Sequence, residues 1–271
     1  MDYYKVLGLK TEPFSTSPDP AFFYRSTAHD SALKRLEIAI RLKRGLSLIL
    51  GDIGTGKTTL SRALLREFSK DRDFIFHMIL DPTYNSEFQF LETLARMFKI
   101  TPDARTTHDY KEEIERYLFK KGVNEKKTIV LLIDEGQKLS ANFLEVLRML
   151  LNYETNEYKL LQLVIMSQTE LLPKIKRIKN FYDRITLKYM INPLDEEETK
   201  GMIDFRLREA GFPPDRILFT PESIKHIFDY SQGYPRKIAL LCHNALEEII
   251  MRQKQVVDEN VILELIKREN V

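Results

Sequence analysis

The sequence predicts an α/β fold: a doubly wound parallel sheet of the P-loop kind, followed by a smaller all-helical domain. Three observations predict it. Short apolar runs at 46–50, 74–80, 128–133, 160–166 and 184–189 alternate with helical patterns, and strands spaced by helices pair in parallel with helices on both faces. A Gly-rich turn joins the first run directly to a helix. After Asn192-Pro193-Leu194 the apolar runs stop and only helical periodicity remains. The expected division is therefore 1–192 for the α/β domain with an N-terminal extension, and 193–271 for the helical one.

Each element has its own signal. Residues up to about Arg25 are rich in Pro and aromatics (Pro13, Phe14, Pro18, Pro20, Phe22, Phe23, Tyr24), which suits an irregular segment packed on something rather than a solvated tail. Leu33, Leu36 and Ile40 set a helix over 30–44, and Gly45 stops it. Leu60, Leu64 and Leu65 mark a helix over 58–68, and further helices are predicted at 86–98, 109–121 and 142–153. In the second half 196–210, 223–230, 235–252 and 258–268 all carry helical patterns. Cys242 falls on the apolar side of one of them and reads as core.

Composition narrows the function. The chain has 271 residues, 43% of them hydrophobic, enough for a sizeable core. Forty-two Lys and Arg against 40 Asp and Glu give a net charge of +2, which argues against a dedicated nucleic-acid binder with a strong global field while leaving local patches open. A single cysteine permits neither an internal disulfide nor a cysteine-based metal cluster, so a reducing, cytoplasmic setting is expected. The first residues lack a signal-peptide profile, and no apolar run approaches the roughly 20 residues a membrane helix needs. Membrane association would come through a partner or a segment beyond Val271.

The chemistry concentrates in two motifs. Gly51-Asp52-Ile53-Gly54-Thr55-Gly56-Lys57-Thr58 fits G-x-x-x-x-G-K-[ST] between a strand and a helix. Glycines at 51, 54 and 56 let backbone N–H groups, those of Thr55 and Thr59 among them, turn toward phosphate at a helix N-terminus. Lys57 would reach the β- and γ-phosphates of ATP, and the Thr58 hydroxyl would bind Mg2+. The strand at 129–133 ends in Asp134-Glu135, two carboxylates at the carboxyl edge of a parallel sheet. Asp134 would hold the magnesium shell and Glu135 would polarise the attacking water, so hydrolysis is expected as well as binding.

Three further positions complete the expected site. The strand at 160–166 ends in Ser167-Gln168-Thr169, where Gln168 first, then Ser167, would sense the γ-phosphate or orient water. Arg184 lies before the last strand in the basic stretch 174–188, placed to serve a neighbouring subunit's γ-phosphate as an arginine finger; Arg177 competes for that role. Arg236, after Gly233-Tyr234-Pro235 at the head of a helix, would couple the helical domain to the nucleotide. The same stretch 174–188, with Phe181 and Tyr182, is the better candidate for nucleic-acid contact. The five histidines show no metal-ligand spacing.

Together these motifs resemble those of an AAA+ ATPase. More narrowly, Tyr4-Lys5-Val6-Leu7-Gly8-Leu9 with Pro13-Phe14 and Pro18-Asp19-Pro20, Asp134-Glu135-Gly136-Gln137, Leu150-Leu151-Asn152-Tyr153-Glu154-Thr155, Lys159-Leu160-Leu161-Gln162 and Arg206-Leu207-Arg208-Glu209-Ala210-Gly211 resemble the family of general secretion pathway protein A. The resemblance implies an ATPase that works as an oligomer of itself, with the site shared between subunits, to help assemble secretion pores or pili in the cell envelope. Some members carry a membrane span and a peptidoglycan-binding domain after the ATPase. The sequence departs at Ser167-Gln168-Thr169-Glu170, where the family has Gly-Gln-Pro-Glu, and at Asn180-Phe181-Tyr182-Asp183-Arg184, where it has a simpler Gln-Arg ending. A related branch, the target-selecting ATPases of transposons, shares the core and implies duplex DNA as the alternative partner.

Overall fold

The computed structural model describes residues 3–100 and 106–269. In chain order the elements begin with α1 (Tyr3–Val6), α2 (Thr27–Arg41), β1 (Leu46–Gly51), α3 (Lys57–Phe68), β2 (Phe74–Ile79), α4 (Glu87–Met97) and α5 (Thr107–Phe119). They continue with β3 (Thr128–Ile133), α6 (Ala141–Leu150), β4 (Leu161–Ser167), α7 (Leu171–Arg177), α8 (Lys179–Tyr182) and β5 (Ile185–Ile191). Four longer helices close the chain: α9 (Glu196–Glu209), α10 (Pro221–Ser231), α11 (Pro235–Met251) and α12 (Glu259–Glu269). Two compact units emerge, one from His29–Asp52 and Leu60–Ile191, the other from the described parts of Met1–Ala28, Ile53–Thr59 and Asn192–Val271.

In the first unit all strand pairs are parallel, in the order β2-β3-β4-β1-β5. The expected doubly wound sheet is borne out. The interior strands β1, β3 and β4 are buried along their whole length, which is why they read as nearly continuous apolar runs, interrupted inside by Ser47 and Gln162. Of the edge strands, β2 is half-buried along most of its length, and β5 alternates half-buried with exposed residues. Leu48, Leu50, Leu131, Ile133, Leu163 and Ile165 share one core with Phe90, Leu91 and Leu94 of α4 and Leu144 and Leu147 of α6. At about 25 cal/mol per Å2 of apolar surface, such fully buried side chains supply the main stabilising term.

Local chemistry sets the helix ends. Thr106 and Asp109 form a reciprocal capping box, so α5 starts at Thr107, two residues before the position that periodicity predicts. Gly45 takes φ +90° after α2, and its N–H donates to the side-chain oxygen of buried Gln162 at 2.8 Å. The Gln162 amide donates in turn to the Lys159 carbonyl at 2.7 Å, which satisfies a polar side chain inside a core strand. The short helices α7 and α8 were not predicted; Leu171, Ile175 and Phe181 are buried beneath their exposed cations.

The second unit is the all-helical part, joined by the N-terminal segment. Ile203, Ile227, Ile238, Leu246, Ile249 and Val261 form its core, with Leu9 and Phe14 from the N-terminal segment buried in the same cluster. Phe14 meets Phe219 edge-on at 5.8 Å, and the Lys10 N–H donates to the Ala210 carbonyl at 2.8 Å. Phe22 and Tyr24 pack against this core as well. Tyr24 lies against Gly201, where a Cβ would come within 2.5 Å of its hydroxyl. Burial, then Glu198, Asp195 and Glu197, hold that phenol above its ordinary range. The aromatic N-terminal stretch thus has the packing partner its composition predicts. No helix among the described residues is long and apolar enough to cross a membrane.

Candidate functional site

The register of the sheet gathers four strand ends on one edge. Leu50 of β1 faces Ser167 of β4, Ile133 of β3 faces Ile165 of β4, and Ile79 of β2 faces Ile133. Gly51, Asp134 and Ser167 therefore share the carboxyl edge of a parallel sheet, the edge where open α/β folds bind ligands.

From the end of β1 the chain enters the Gly-rich loop. Gly54 and Gly56 take φ +84° and +93°, a region that an L side chain rarely adopts. Thr55 is fully buried, and Lys57, the first residue of α3, is only 6% exposed. A cation at the positive end of a helix is electrostatically costly by itself, and a phosphate anion there offsets that cost. Thr58 and Thr59 follow in the first turn of α3. The loop and Arg236 meet within the helical unit: the Arg236 N–H donates to the Gly54 carbonyl at 3.3 Å, and a Cβ on Gly54 would lie 3.1 Å from that of Arg236. The Arg236 side chain is exposed.

The acidic pair sits at the end of β3. Asp134 is 1% exposed, its N–H donates to the Ile79 carbonyl, and its Oδ1 accepts the Glu135 N–H at 2.9 Å. Glu135 stands in the left-handed region at φ 52°, ψ 37°, a conformation that costs a non-glycine residue about 1–3 kcal/mol. The chain is turned there, and the next residues run back against β4. A Cβ on Gly136 would overlap Ile165 and lie 3.2 Å from the Met166 carbonyl.

A residue without a role in the sequence reading links these parts. Gln137 donates from Nε2 to Glu135 Oε2 at 2.7 Å, and its Oε1 accepts the Gln168 N–H at 3.1 Å and the Ser167 hydroxyl at 3.3 Å. Lys174 Nζ donates to the Gln137 carbonyl at 2.6 Å, and Lys138 pairs with Asp81 at the end of β2 at 2.9 Å. No spacing rule identifies Gln137; only the glycine and the left-handed residue before it bring the amide to β4.

The two finger candidates lie elsewhere. Ile185 opposite Leu46 places Arg184 at the amino edge of the sheet, the length of β5, about 20 Å, from the acidic pair's edge. Its Nε is buried with no hydrogen-bond partner among the described residues. Arg177 ends α7 and is exposed.

Comparison with known proteins agrees with this geometry. A family model described as an AAA domain matches residues 40–175. General secretion pathway protein A of Aeromonas hydrophila is 34% identical over 246 residues, 90% of this chain and 44% of that protein. An uncharacterized HTH-type transcriptional regulator of Methanocaldococcus jannaschii is 28% identical over 58% of this chain and 40% of its own length. The chain thus spans less than half of either curated relative. Among solved structures, the ORC2 protein of Aeropyrum pernix in ADPNP and ADP complexes superposes with a TM-score of 0.70 at 14% identity, over 96% of this chain and 71% of that one.

Proposed function

Because the chain belongs to the AAA+ ATPases, enzymes that bind and hydrolyse ATP, we propose that it spends ATP, as an oligomer of itself, to drive assembly of a secretion or pilus machine of the cell envelope. The observation that carries this reading is the 34% identity to General secretion pathway protein A over nine-tenths of the chain.

In this reading the backbone of Gly51, Gly54, Thr55, Gly56 and Thr59 cradles the phosphates, and Lys57 neutralises charge on the β- and γ-oxygens. The Thr58 hydroxyl and the Asp134 carboxylate are hard oxygen donors, the set that suits Mg2+. When bound, the ion would offset negative charge between the phosphates. Glu135 accepts a proton from the attacking water, Gln168 orients that water or senses the γ-phosphate, and Arg236, whose N–H meets the Gly54 carbonyl, answers to the nucleotide at the Gly-rich loop. Arg184, remote from its own acidic pair, serves a neighbouring copy.

Glu135→Gln tests the core of this. The variant should bind ATP as the wild type does and lose turnover by about 10^2- to 10^4-fold; undiminished hydrolysis would remove Glu135 from the mechanism. In cells, loss of the chain should leave the envelope machine unassembled, and the variant should fail to restore it.

A second reading takes duplex DNA as the partner, with the ATP state controlling its engagement. Lys176, Arg177, Lys179 and Lys188 are exposed around α7, α8 and β5, with Lys188 over the Tyr182 ring at 5.9 Å. Turnover stimulated by duplex DNA and suppressed by salt would favour it over the envelope.

A further inference from the structure

Glu135 could hold its carboxylate in several rotamers, yet the structure gives it one partner on each side. Its N–H is bound by Asp134, and its Oε2 accepts from the Gln137 amide at 2.7 Å. The polarity of that amide is fixed by chemistry. The backbone N–H of Gln168 can only donate and a carboxylate can only accept, so Oε1 must face β4 and Nε2 must face Glu135. A flipped amide would set N–H against N–H and oxygen against oxygen. The Gln137 backbone is anchored as well, its carbonyl bound by Lys174 and the preceding Gly136 pressed against Ile165.

We propose that Gln137 is a positioning residue for hydrolysis: it holds the Glu135 carboxylate in one orientation and ties it to Ser167 and Gln168 at the end of β4. A displacement of that strand end is passed to Glu135 through a single rigid amide, two hydrogen bonds away. The proposal rests on the reading of Glu135 as the base. Gln137 touches neither water nor phosphate in this scheme and acts only through Glu135.

The test compares Gln137→Ala, Gln137→Glu and Glu135→Gln in the whole chain, with nucleotide affinity read from a fluorescent ATP analogue and kcat and KM measured across pH. Gln137→Ala should lower kcat by about 10- to 100-fold, with the analogue's Kd within about twofold of wild type. Gln137→Glu keeps the side chain's length but offers Glu135 no N–H, so kcat should fall at least as far as in the alanine variant, again with the analogue's Kd within about twofold of wild type. A fall in kcat without a matching loss of nucleotide binding is a split that loosened packing would not give, and this variant carries the test if the alanine variant fails to fold. A kcat for Gln137→Ala within twofold of wild type overturns the proposal, as does a fall in kcat matched by equal weakening of nucleotide binding. Turnover retained by Glu135→Gln instead defeats the base and takes this proposal with it. An inactive Glu135→Gln beside a fully active Gln137→Ala leaves the base standing and removes only Gln137.

Discussion

The Arg236 N–H donates to the Gly54 carbonyl at 3.3 Å, so the head of α11 rests on the Gly-rich loop at a residue with φ +84°. A Cβ on Gly54 would lie 3.1 Å from Arg236 Cβ, tighter than ordinary contact, so the neighbour would have to give by a few tenths of an ångström. Gly54→Ala should therefore cost about 1–2 kcal/mol through the backbone alone. It should also weaken ATP binding by more than that loss of stability accounts for. Calorimetry beside nucleotide titration checks both; unchanged affinity would mean that the loop does not carry the phosphates.

The link at 192–194 depends on a second glycine. Leu194 donates its N–H to the Gly233 carbonyl at 2.9 Å, and a Cβ on Gly233 would overlap the Leu194 carbonyl. Gly233 also takes φ +73°. Gly233→Ala should destabilise the helical unit by at least about 3 kcal/mol, seen as a lowered Tm. A Tm within a degree of wild type would contradict this packing.

His77 on β2 predicts a pH dependence. Burial, with Lys99 second, pushes its imidazole down to about 4 from 6.5. Between those values the unfolded chain takes up a proton that the folded chain refuses, so the unfolded state gains as pH falls. The residue's contribution is complete above about 6.5 and lost by about 4. Its buried Nε2 has no hydrogen-bond partner among the described residues, and the ring lies 4.6 Å from that of Phe98. His77→Phe should be neutral or gain up to about 1 kcal/mol at neutral pH, and urea midpoints between pH 4 and 6.5 should decline less steeply than in the wild type.

Arg184 predicts complementation. Arg184→Ala and Glu135→Gln should each be inactive alone, the first by about 10^3-fold or more if the arginine serves as a finger. Mixed, they should regain activity, because sites that pair an intact Glu135 with an intact Arg184 from another copy would form. A mixture no more active than its parts would exclude action between subunits.

Much of the fold was legible because its signals are local. The buried strands are runs such as 129–133, and the helices of the C-terminal part follow apolar spacing with Pro221 and Pro235 in their first turns. What was not legible depends on approach between distant residues. Helix α7 hides in a cationic stretch interrupted by Pro173, and only its contact with the core reveals Leu171 and Ile175 as buried. The pairing of Phe14 with Phe219 spans most of the chain. Gln137 is the clearest instance: the motif around Asp134-Glu135 is plain in the sequence, but the bond from Gln137 to Glu135 follows from one left-handed residue and one glycine that no periodicity encodes.

The placement of Arg184 at one edge of the sheet and Asp134-Glu135 at the other gives the protomer a polarity. If Arg184 serves a neighbouring copy, as proposed, the contact can be reciprocated in a two-fold dimer, where each copy completes the other's site, or repeated head to tail. In a head-to-tail run each added copy would complete one site and open another, so an open run would hold one working site fewer than it has subunits until a ring closed. Specific activity that rises with assembly length and levels off at closure would mark the head-to-tail arrangement, and activity complete in a dimer would mark the reciprocal one.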